Sequence, residues 1–326
     1  MTGLLPRRRL GASDLMVSPV GLGCWQFSKG QGIAGKYWPI LADSEIESIV
    51  RVSLQGGVNW FDTAEAYGQG RSERELANAL MKIGKTAEEV IIATKWTPTF
   101  RSARSILDTI DQRLENLKGF QVDLFQIHQP TSYSTVKAQM KAMAQLAKEK
   151  KIRLVGVSNF SARKMTAAHE ALSELGLALV SNQMHYSLLN RQIETYGVLD
   201  EAKKRGISII AYSPLEQGLL TGKFHDHPDS IRKRPGPRKY LSLFRPEGLV
   251  KSRPVIQAVR EIAEKRGVTP AQVALNWLIQ FHGDVVVVIP GATKASQALD
   301  NAKAMSFELT REELDRLDAV SARFKK

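Results

Sequence analysis

The stretch "VIIATKWTPTFRSARSILDTIDQRLENLKGFQVDLFQIH", residues 90–128, decides the fold. It opens with an apolar run rich in β-branched residues, VIIATK at 90–95, and closes with a second apolar run, VDLFQIH at 122–128. Between the two runs, residues 102–119 place apolar side chains at helical spacing. Apolar character that is continuous rather than alternating is typical of parallel strands buried on both faces. The stretch therefore predicts two parallel strands joined by a helix.

The same alternation of strand and helix extends along the rest of the chain. Further apolar runs predict strands at 20–23, 58–62, 152–159, 179–183, 207–213 and 285–291. Helical patterns occupy 44–57, 72–84, 134–149, 161–176, 192–205 and 270–281. An open doubly wound sheet and a closed (β/α)₈ barrel are both α/β folds that fit this order. Near-equal units repeated over about 300 residues favour the barrel.

Segments outside the repeated units add detail to this barrel. The opening RRLGASDLMVSPVG, residues 8–21, predicts an N-terminal β-hairpin before the first barrel strand. Two added helices are expected at 254–266 and 310–322, and both can pack outside the barrel. Residues 224–253 hold prolines, glycines and basic residues, which indicates a long loop that is either functional or disordered. Because no linker rich in glycine, proline and serine divides the chain, we expect residues 1–326 to form one domain.

Composition excludes several classes of protein. The 326 residues are 43% hydrophobic, enough for a large core, and the formal net charge of +13 suits phosphate-bearing ligands. The basic residues are scattered and form no stripe with interleaved aromatics, so no nucleic-acid partner is expected. Cys24 is the only cysteine, which excludes an internal disulfide and a thiol cluster for zinc. Neither a secretory apolar region nor a run of ~20 apolar residues is present, so we expect a cytoplasmic protein that does not enter a membrane.

Four chemically distinctive residues fall at the ends of consecutive predicted strands. Asp62 ends the second strand and is followed by Tyr67, Lys95 ends the third, and His128 ends the fourth. Taken singly, the lysine could be solvated, the histidine a core residue and the tyrosine a packing residue. Catalytic groups of a (β/α)₈ barrel lie at the carboxyl ends of its strands, so the four together indicate one site.

The chemistry of these four residues is coherent. A free tyrosine has a pKa of about 10, and a neighbouring lysine ammonium is expected to lower it. Asp62 can pair with Lys95, while His128 can hydrogen-bond the Tyr67 oxygen or orient a substrate carbonyl. The set predicts an acid that protonates an oxygen on which negative charge develops, the complement of hydride delivery. This chemistry needs no metal.

At this point the chain resembles a known family. FDTAEAYG, ATKW, LFQIHQP, GVSNF, SNQMHYSLLNR, AYSPLEQGLLTGK and IPGATKASQALDN resemble, in that order, motifs of the aldo-keto reductases. The resemblance runs from GLGCW at 21–25 to the helix near 320. It is nearest to the bacterial and plant branch, beside potassium-channel β subunits and pyridoxal reductases. It implies a (β/α)₈ barrel, a tetrad of Asp62, Tyr67, Lys95 and His128, and reduction of aldehydes or ketones.

The resemblance also implies a cofactor, NADPH, and the residues that bind it. Ser158, Asn159 and Gln183 would bind the nicotinamide carboxamide, because an amide needs both donors and acceptors. Tyr212 would stack on the nicotinamide ring. The pyrophosphate would be wrapped by Ser213, Leu215, Gly218 and Lys223, with Arg238 of the basic cluster as a further phosphate contact. The adenosine and its 2′-phosphate would meet Gly291, Thr293, Lys294, Gln297 and Asn301.

NADP is preferred over NAD because Lys294 supplies charge and Thr293 a hydroxyl at the start of a helix, where anions are favoured. Trp25, Trp96 and Gln129 are expected to line a substrate pocket for a flat or apolar carbonyl compound. Both tryptophans could equally serve core packing.

Two functions fit these expectations. The first is a reductase that takes hydride from the nicotinamide and a proton from Tyr67, with a small-molecule carbonyl compound as its partner. The alternative is a cofactor-sensing module like the channel β subunits, in which slow reduction reports redox state. The oligomeric state and the natural substrate do not follow from the sequence.

Overall fold

The computed structural model describes residues 7–233 and 236–326, and only the backbone of Ile33, Ala34, Pro237 and Arg238. The chain begins with the predicted hairpin, in which strand β1 (Arg8–Arg9) pairs antiparallel with β2 (Met16–Val17). The larger sheet has eight strands: β3 (Leu22–Gly23), β4 (Trp60–Asp62), β5 (Ile91–Trp96), β6 (Leu124–Ile127), β7 (Leu154–Ser158), β8 (Leu179–His185), β9 (Ser208–Tyr212) and β10 (Val286–Val288).

The eight strands form a closed parallel barrel. Each strand from β3 to β10 pairs in parallel with the next along the chain. Closure comes from parallel bridges that join Val20 to Val288 and Gly23 to Gly291, with a 2.8 Å bond from the Gly21 amide to the Val288 carbonyl. The (β/α)₈ prediction is therefore confirmed.

Twelve helices occur in the part of the chain that the structure describes. They are α1 (Gly32–Gly35), α2 (Asp43–Gln55), α3 (Arg71–Lys82), α4 (Arg104–Leu117), α5 (Val136–Lys148), α6 (Ala162–Ser173), α7 (Val198–Arg205), α8 (Lys223–Asp226), α9 (Pro246–Arg266), α10 (Pro270–Gln280), α11 (Ala295–Lys303) and α12 (Arg311–Ser321). Helices α9 and α12 are the two additions to the regular series. Helices α2–α7, α10 and α11 each follow a barrel strand and bury an apolar face against the sheet.

Two predicted boundaries are wrong. Helix α9 begins at Pro246 rather than at residue 254. Proline suits the first position of a helix because its φ is already helical and because the amide hydrogen that it lacks would have no partner within the helix there. Residues 224–253 therefore hold α8, the start of α9 and three short 3₁₀ turns instead of a continuous loop. The helix expected at 192–205 is split into a 3₁₀ turn (Gln192–Glu194) and α7, because Gly197 takes a left-handed φ of 73°.

The hairpin closes the amino-terminal end of the barrel. Its Leu10, Leu15 and Val17 are buried in one cluster with Trp60 and other side chains of the barrel interior. The Gly11 amide also donates to the Ser208 hydroxyl at the first residue of β9, over 2.7 Å. Apolar side chains thus fill the lower interior, and the polar residues are left at the carboxyl ends of the strands.

Candidate active site

A cleft of about 680 Å³ opens at the carboxyl ends of the strands, within the size range of small-molecule sites. Its lining brings together most of the side chains predicted from the sequence. These are Trp25, Asp62, Tyr67, His128, Gln129, Ser158, Asn159, Gln183, Tyr212, Ser213, Leu215, Gly218, Lys223, Gly291, Thr293, Gln297 and Asn301. The floor of this cleft is the candidate active site.

Lys95 lies fully buried beneath that floor and connects two members of the predicted tetrad. Its Nζ forms an ion pair with Asp62 Oδ1, donates to the Thr63 carbonyl over 2.8 Å, and lies 3.5 Å from the Tyr67 hydroxyl. The rings of Tyr67 and His128 meet edge to face with centroids 5.7 Å apart. Asp62, Tyr67, Lys95 and His128 therefore form one contiguous group.

Burial dominates the proton affinity of Tyr67. Desolvation raises the pKa of Tyr67 above its ordinary value, although the charge of Lys95 acts in the opposite direction. The expected net lowering of this pKa is therefore wrong for the cleft as it stands. For Lys95, burial lowers the pKa, but the charge of Asp62 and the Tyr67 phenol outweigh it and raise the pKa overall. Tyr67 is thus a protonated phenol beside a lysine that stays charged.

His128 is a neutral imidazole at physiological pH. Burial, followed by the charge of Lys95, lowers the pKa of His128 to about 3. A neutral ring can still donate one hydrogen bond to an oxygen in the cleft. His128 therefore suits orientation of an uncharged carbonyl group.

Asp62 is held by a third side chain that the sequence reasoning missed. Its Oδ2 accepts from Gln183 Nε2 over 2.9 Å and from Gln126 Nε2 over 3.1 Å, and Gln126 is completely buried. Side chains two residues apart in a strand point to the same face, so Gln126 faces the interior with His128. The two-residue spacing from His128 could therefore have identified Gln126 from the sequence. In the structure, Gln126 helps to hold Asp62 in position.

The residues expected at the carboxamide are mutually hydrogen-bonded. The Tyr212 hydroxyl donates to Asn159 Oδ1 over 3.0 Å, while Asn159 Nδ2 donates to Ser158 Oγ over 3.0 Å and to the His128 carbonyl over 3.2 Å. Asn159 has a left-handed φ of 60°, a conformation that asparagine adopts more readily than most residues. Ser158, Asn159 and Tyr212 therefore form a rigid polar wall beside the tetrad.

The chain after β9 adopts an unusual backbone. Ser213, Glu216 and Gln217 have left-handed φ values of 50°, 46° and 52°, and Gly218 follows at 95°. Left-handed conformations in residues other than glycine cost energy and cluster at binding and catalytic sites. Residues 213–218, called here the left-handed segment, form one wall of the cleft.

The opposite end of the cleft is built on the start of α11. The Thr293 amide and hydroxyl both donate to Gln297 Oε1, over 2.9 and 3.1 Å, and Asn301 Nδ2 donates to the Gly291 carbonyl over 3.4 Å. Lys294 is the exposed residue that precedes α11, and it lies beside the cleft rather than in its lining. This end of the cleft therefore has a cationic side chain, that of Lys294, at the amino terminus of α11.

One substrate residue was predicted wrongly. Trp96 is fully buried outside the cleft, where its Nε1 donates to Ser105 Oγ over 3.1 Å. Since Lys95 faces the interior, strand alternation turns Trp96 outward toward the helices. Trp38 instead lines the cleft, edge to face with Trp25 at 5.7 Å. Trp25 in turn stacks on Tyr67 at 5.8 Å and 19°.

Other predicted and unpredicted residues complete the description. The side chain of Arg238 lies outside the described residues, although its backbone belongs to a 3₁₀ turn. Lining residues that the sequence reasoning missed include Cys24, Gln26, Trp38, Gln217, Ser230, Lys233 and Asp300. No group of side chains suited to a metal ion occurs in residues 7–233 and 236–326, and none of the helices described there has the length and apolarity of a membrane span.

Comparison with known proteins agrees with this geometry. Residues 19–322 match the Aldo/keto reductase family. An uncharacterized oxidoreductase of Mycobacterium tuberculosis is 37% identical over 95% of this chain and 91% of its own length. The chloroplastic pyridoxal reductase of Arabidopsis thaliana is 32% identical over 94% of this chain and 84% of its own.

A solved structure shares the fold as well. It is a thermostable aldo-keto reductase in complex with the inhibitor epalrestat, with a TM-score of 0.76 and 27% identity over 97% of this chain and 99% of that one. The family match and the oxidoreductase relatives support a general role in carbonyl reduction. The chain belongs to the aldo/keto reductase family.

Proposed function

We propose that this protein reduces a small aldehyde or ketone to the alcohol, with NADPH as the hydride donor and Tyr67 as the proton donor. The observation that carries the proposal is the placement of the Tyr67 hydroxyl on the cleft floor, 3.5 Å from the Lys95 ammonium and beside the neutral His128. The nicotinamide, when bound, supplies a hydride to the carbonyl carbon.

The chain's own residues handle the proton and the developing charge. The carbonyl oxygen accepts a hydrogen bond from the Tyr67 hydroxyl, which gives up its proton as the oxygen becomes negative. Lys95, fixed by Asp62 and the Thr63 carbonyl, stabilises the phenolate that remains on Tyr67. His128 donates a second hydrogen bond to the same oxygen and orients it.

The polar wall and the left-handed segment fit a nicotinamide dinucleotide. Asn159 and Ser158 offer the mixed donors and acceptors that a carboxamide requires, with Gln183 as the third contact, and the Tyr212 ring stands where a flat ring can stack. Residues 213–223 would wrap the pyrophosphate, with Ser213, Leu215, Gly218, Lys223 and Arg238 as its contacts. At the far end, Gly291, Gln297 and Asn301 would hold the adenosine.

The preference for NADPH over NADH rests on the start of α11. Thr293 and the exposed Lys294 stand at the amino terminus of this helix, where amides and the helix dipole favour a phosphate. The 2′-phosphate is the group by which NADPH differs from NADH. We therefore assign its recognition to these two residues.

The substrate pocket is aromatic. Trp25 and Trp38 stand edge to face beside the ring of Tyr67, and Gln129 adds an amide to the lining. Such walls favour flat or apolar carbonyl compounds. The pyridoxal reductase among the relatives is named for a flat heteroaromatic aldehyde, so aromatic aldehydes are the first substrates to test.

We further propose that residues 1–326 act as one domain in the cytoplasm.

The test is loss of NADPH absorbance with a panel of aromatic and aliphatic aldehydes and ketones. Tyr67→Phe removes the proton donor and keeps the ring, so kcat should fall by about 10²–10⁴-fold while the Kd for NADPH stays within about twofold. Undiminished turnover in Tyr67→Phe would exclude Tyr67 as the acid. Tight NADPH binding with slow turnover of every carbonyl would favour the cofactor-sensing alternative instead.

A further inference from the structure

A buried polar cluster lies behind Tyr212, and the proposed reaction does not use it. Glu216 is 5% exposed, and its Oε1 accepts from Ser187 Oγ over 2.6 Å and meets His185 Nε2 at 2.7 Å. The other ring nitrogen of His185, Nδ1, lies 2.7 Å from Asn190 Nδ2. The cluster thus ties the left-handed segment to the end of β8 and the turn that follows it.

The hydrogen-bond partners define how the imidazole is used. Asn190 Nδ2 can only donate, so His185 Nδ1 accepts and Nε2 carries the proton that is donated to Glu216. The face of the same ring stacks on Tyr212, with centroids 5.2 Å apart and planes 15° apart. One side chain therefore fixes Glu216 by its edge and supports the Tyr212 ring by its face.

The left-handed segment needs an anchor of this kind. Ser213, Glu216 and Gln217 occupy left-handed conformations, which cost energy in residues other than glycine. Among the described residues, Glu216 is the one member of 213–218 whose side chain hydrogen-bonds to another element. A buried carboxylate with such partners holds its position, because moving it would leave charged and polar atoms unpaired.

We propose that Glu216 and His185 form a latch that keeps the left-handed segment and the Tyr212 ring in their cofactor-binding positions before the dinucleotide arrives. Both are positioning residues, since they act through Tyr212 and the segment's backbone. The inference rests on the proposed use of this cleft for NADPH. A preformed segment avoids the ordering cost at binding, so the latch raises cofactor affinity.

The first test measures the Kd for NADPH by calorimetry in the full chain. Glu216→Leu removes both hydrogen bonds and should weaken NADPH binding at least about tenfold, the effect of losing bonds to a charged group. Its effect on the KM for NADPH should exceed its effect on kcat. Glu216→Gln retains an oxygen that accepts from Ser187 and His185, so it should recover most of the affinity.

A matched control separates positioning from general destabilisation. Glu313 is also buried, at 8% exposure, and pairs with Arg266, and neither residue lines the cleft. Glu313→Leu should lower the free energy of unfolding in urea but leave the Kd for NADPH unchanged. If Glu216→Leu fails to fold, His185→Phe serves instead, because it keeps a ring against Tyr212 while losing the bond to Glu216.

The outcomes distinguish the two proposals. A folded Glu216→Leu or His185→Phe protein that binds NADPH as tightly as the wild type would overturn the latch alone. Equal weakening in the Glu313→Leu control would also overturn it, since the effect would then reflect stability. A wild-type protein that binds neither NADPH nor NADH would overturn the proposed function and the latch together.

Discussion

The position of Asp62 depends in part on Gln126, a residue outside the tetrad. One oxygen of the Asp62 carboxylate pairs with the Lys95 ammonium, and the other accepts hydrogen bonds from the side-chain amides of Gln126 and Gln183. Gln126 also accepts from Gln183 Nε2 over 3.3 Å, so it orients the amide proposed to meet the cofactor. A single buried side chain thereby supports both the carboxylate that pairs with Lys95 and the amide of Gln183, which is proposed to bind the cofactor.

We expect Gln126→Leu to reduce kcat about tenfold, because a hydrogen bond to a charged group is worth roughly 1.5–3 kcal/mol. Steady-state turnover at saturating NADPH is the measurement. Gln139→Leu is the control, since Gln139 is equally buried but bonds to the backbone around Ser134 in the α5 region. Normal turnover in Gln126→Leu would show that Lys95 alone keeps Asp62 in place.

His128 should make the stability of the protein depend on pH. Its native pKa of about 3 lies below its ordinary value, so below about pH 6.5 the unfolded chain binds a proton that the native protein does not. Stability is therefore lost as the pH falls from about 6.5 toward 3. Between pH 7.5 and 5.5 this one group should cost about 1.4 kcal/mol.

Urea unfolding at the two pH values measures this loss. His128→Gln should lose about 1.4 kcal/mol less than the wild type over the same interval, because glutamine does not titrate. His225 and His169, whose pKa values burial also lowers, contribute equally to both proteins and cancel in the difference. Identical losses would mean that His128 is more accessible to protons than its burial indicates.

Residues on regular strands could be placed by periodicity, whereas residues on irregular segments could be placed only by the family resemblance. The positions of Asp62, Lys95 and His128 follow from the ends of the predicted strands. The alternation of side chains along a strand would also have placed Gln126 in the barrel interior and Trp96 on the outer face. Trp38 belongs to a segment without periodicity, so no pattern placed it beside Trp25. The pKa of Tyr67 was misjudged because sequence shows neighbouring charges but not the extent of burial.

At the scale of elements, the amino terminus of α11 carries the proposed choice of cofactor. We expect Lys294→Ala to weaken NADPH binding about tenfold and NADH binding less than twofold, because only NADPH has the extra phosphate. The measurement is the Kd for each dinucleotide. Lys303→Ala is the control, since Lys303 is an exposed lysine in the last turn of the same helix. Equal losses for both dinucleotides would remove Lys294 from 2′-phosphate recognition.

Elements with a repeating pattern were also the ones whose bounds were close to the structure. The helix predicted at 102–119 is α4, and the strand predicted at 90–95 is β5. Helix α9 was placed too late because Pro246 starts it while Pro254 lies inside it, and the sequence alone does not distinguish a proline that starts a helix from one that interrupts it. The helix predicted at 192–205 was too long for a different reason. Gly197 adopts a left-handed φ that interrupts the helix, although the helical pattern continues through this position in the sequence.

At the scale of the whole molecule, Arg191 fastens the carboxyl-terminal helix to the barrel. It is fully buried, forms ion pairs with Glu194 and Asp318, and its backbone amide donates to the Phe324 carbonyl over 2.8 Å. The guanidinium also lies 4.7 Å from the ring centroid of Trp277. Arg191 is therefore one of the cations that attach α12, together with Arg266, which pairs with Glu313.

Arg191→Leu should lower the free energy of unfolding by roughly 3 kcal/mol, because it leaves two carboxylates without their main partner. Urea unfolding followed by circular dichroism provides the value. Arg311→Leu is a suitable comparison, since Arg311 is exposed and its ion pair, with Asp315, lies within the same helix. A loss no larger than that of Arg311→Leu would mean that Arg191 contributes little to the attachment of α12.

Barrel closure has a consequence for how the protein is made. Gly23 near the start of the chain and Gly291 near its end face each other across the closing seam and both line the cleft. A nascent chain emerges from the ribosome in order, so the seam has no second side until residue 291 has left the exit tunnel. Earlier strands can pair as they appear, but the cleft proposed to bind the dinucleotide is complete only after residue 291 has emerged.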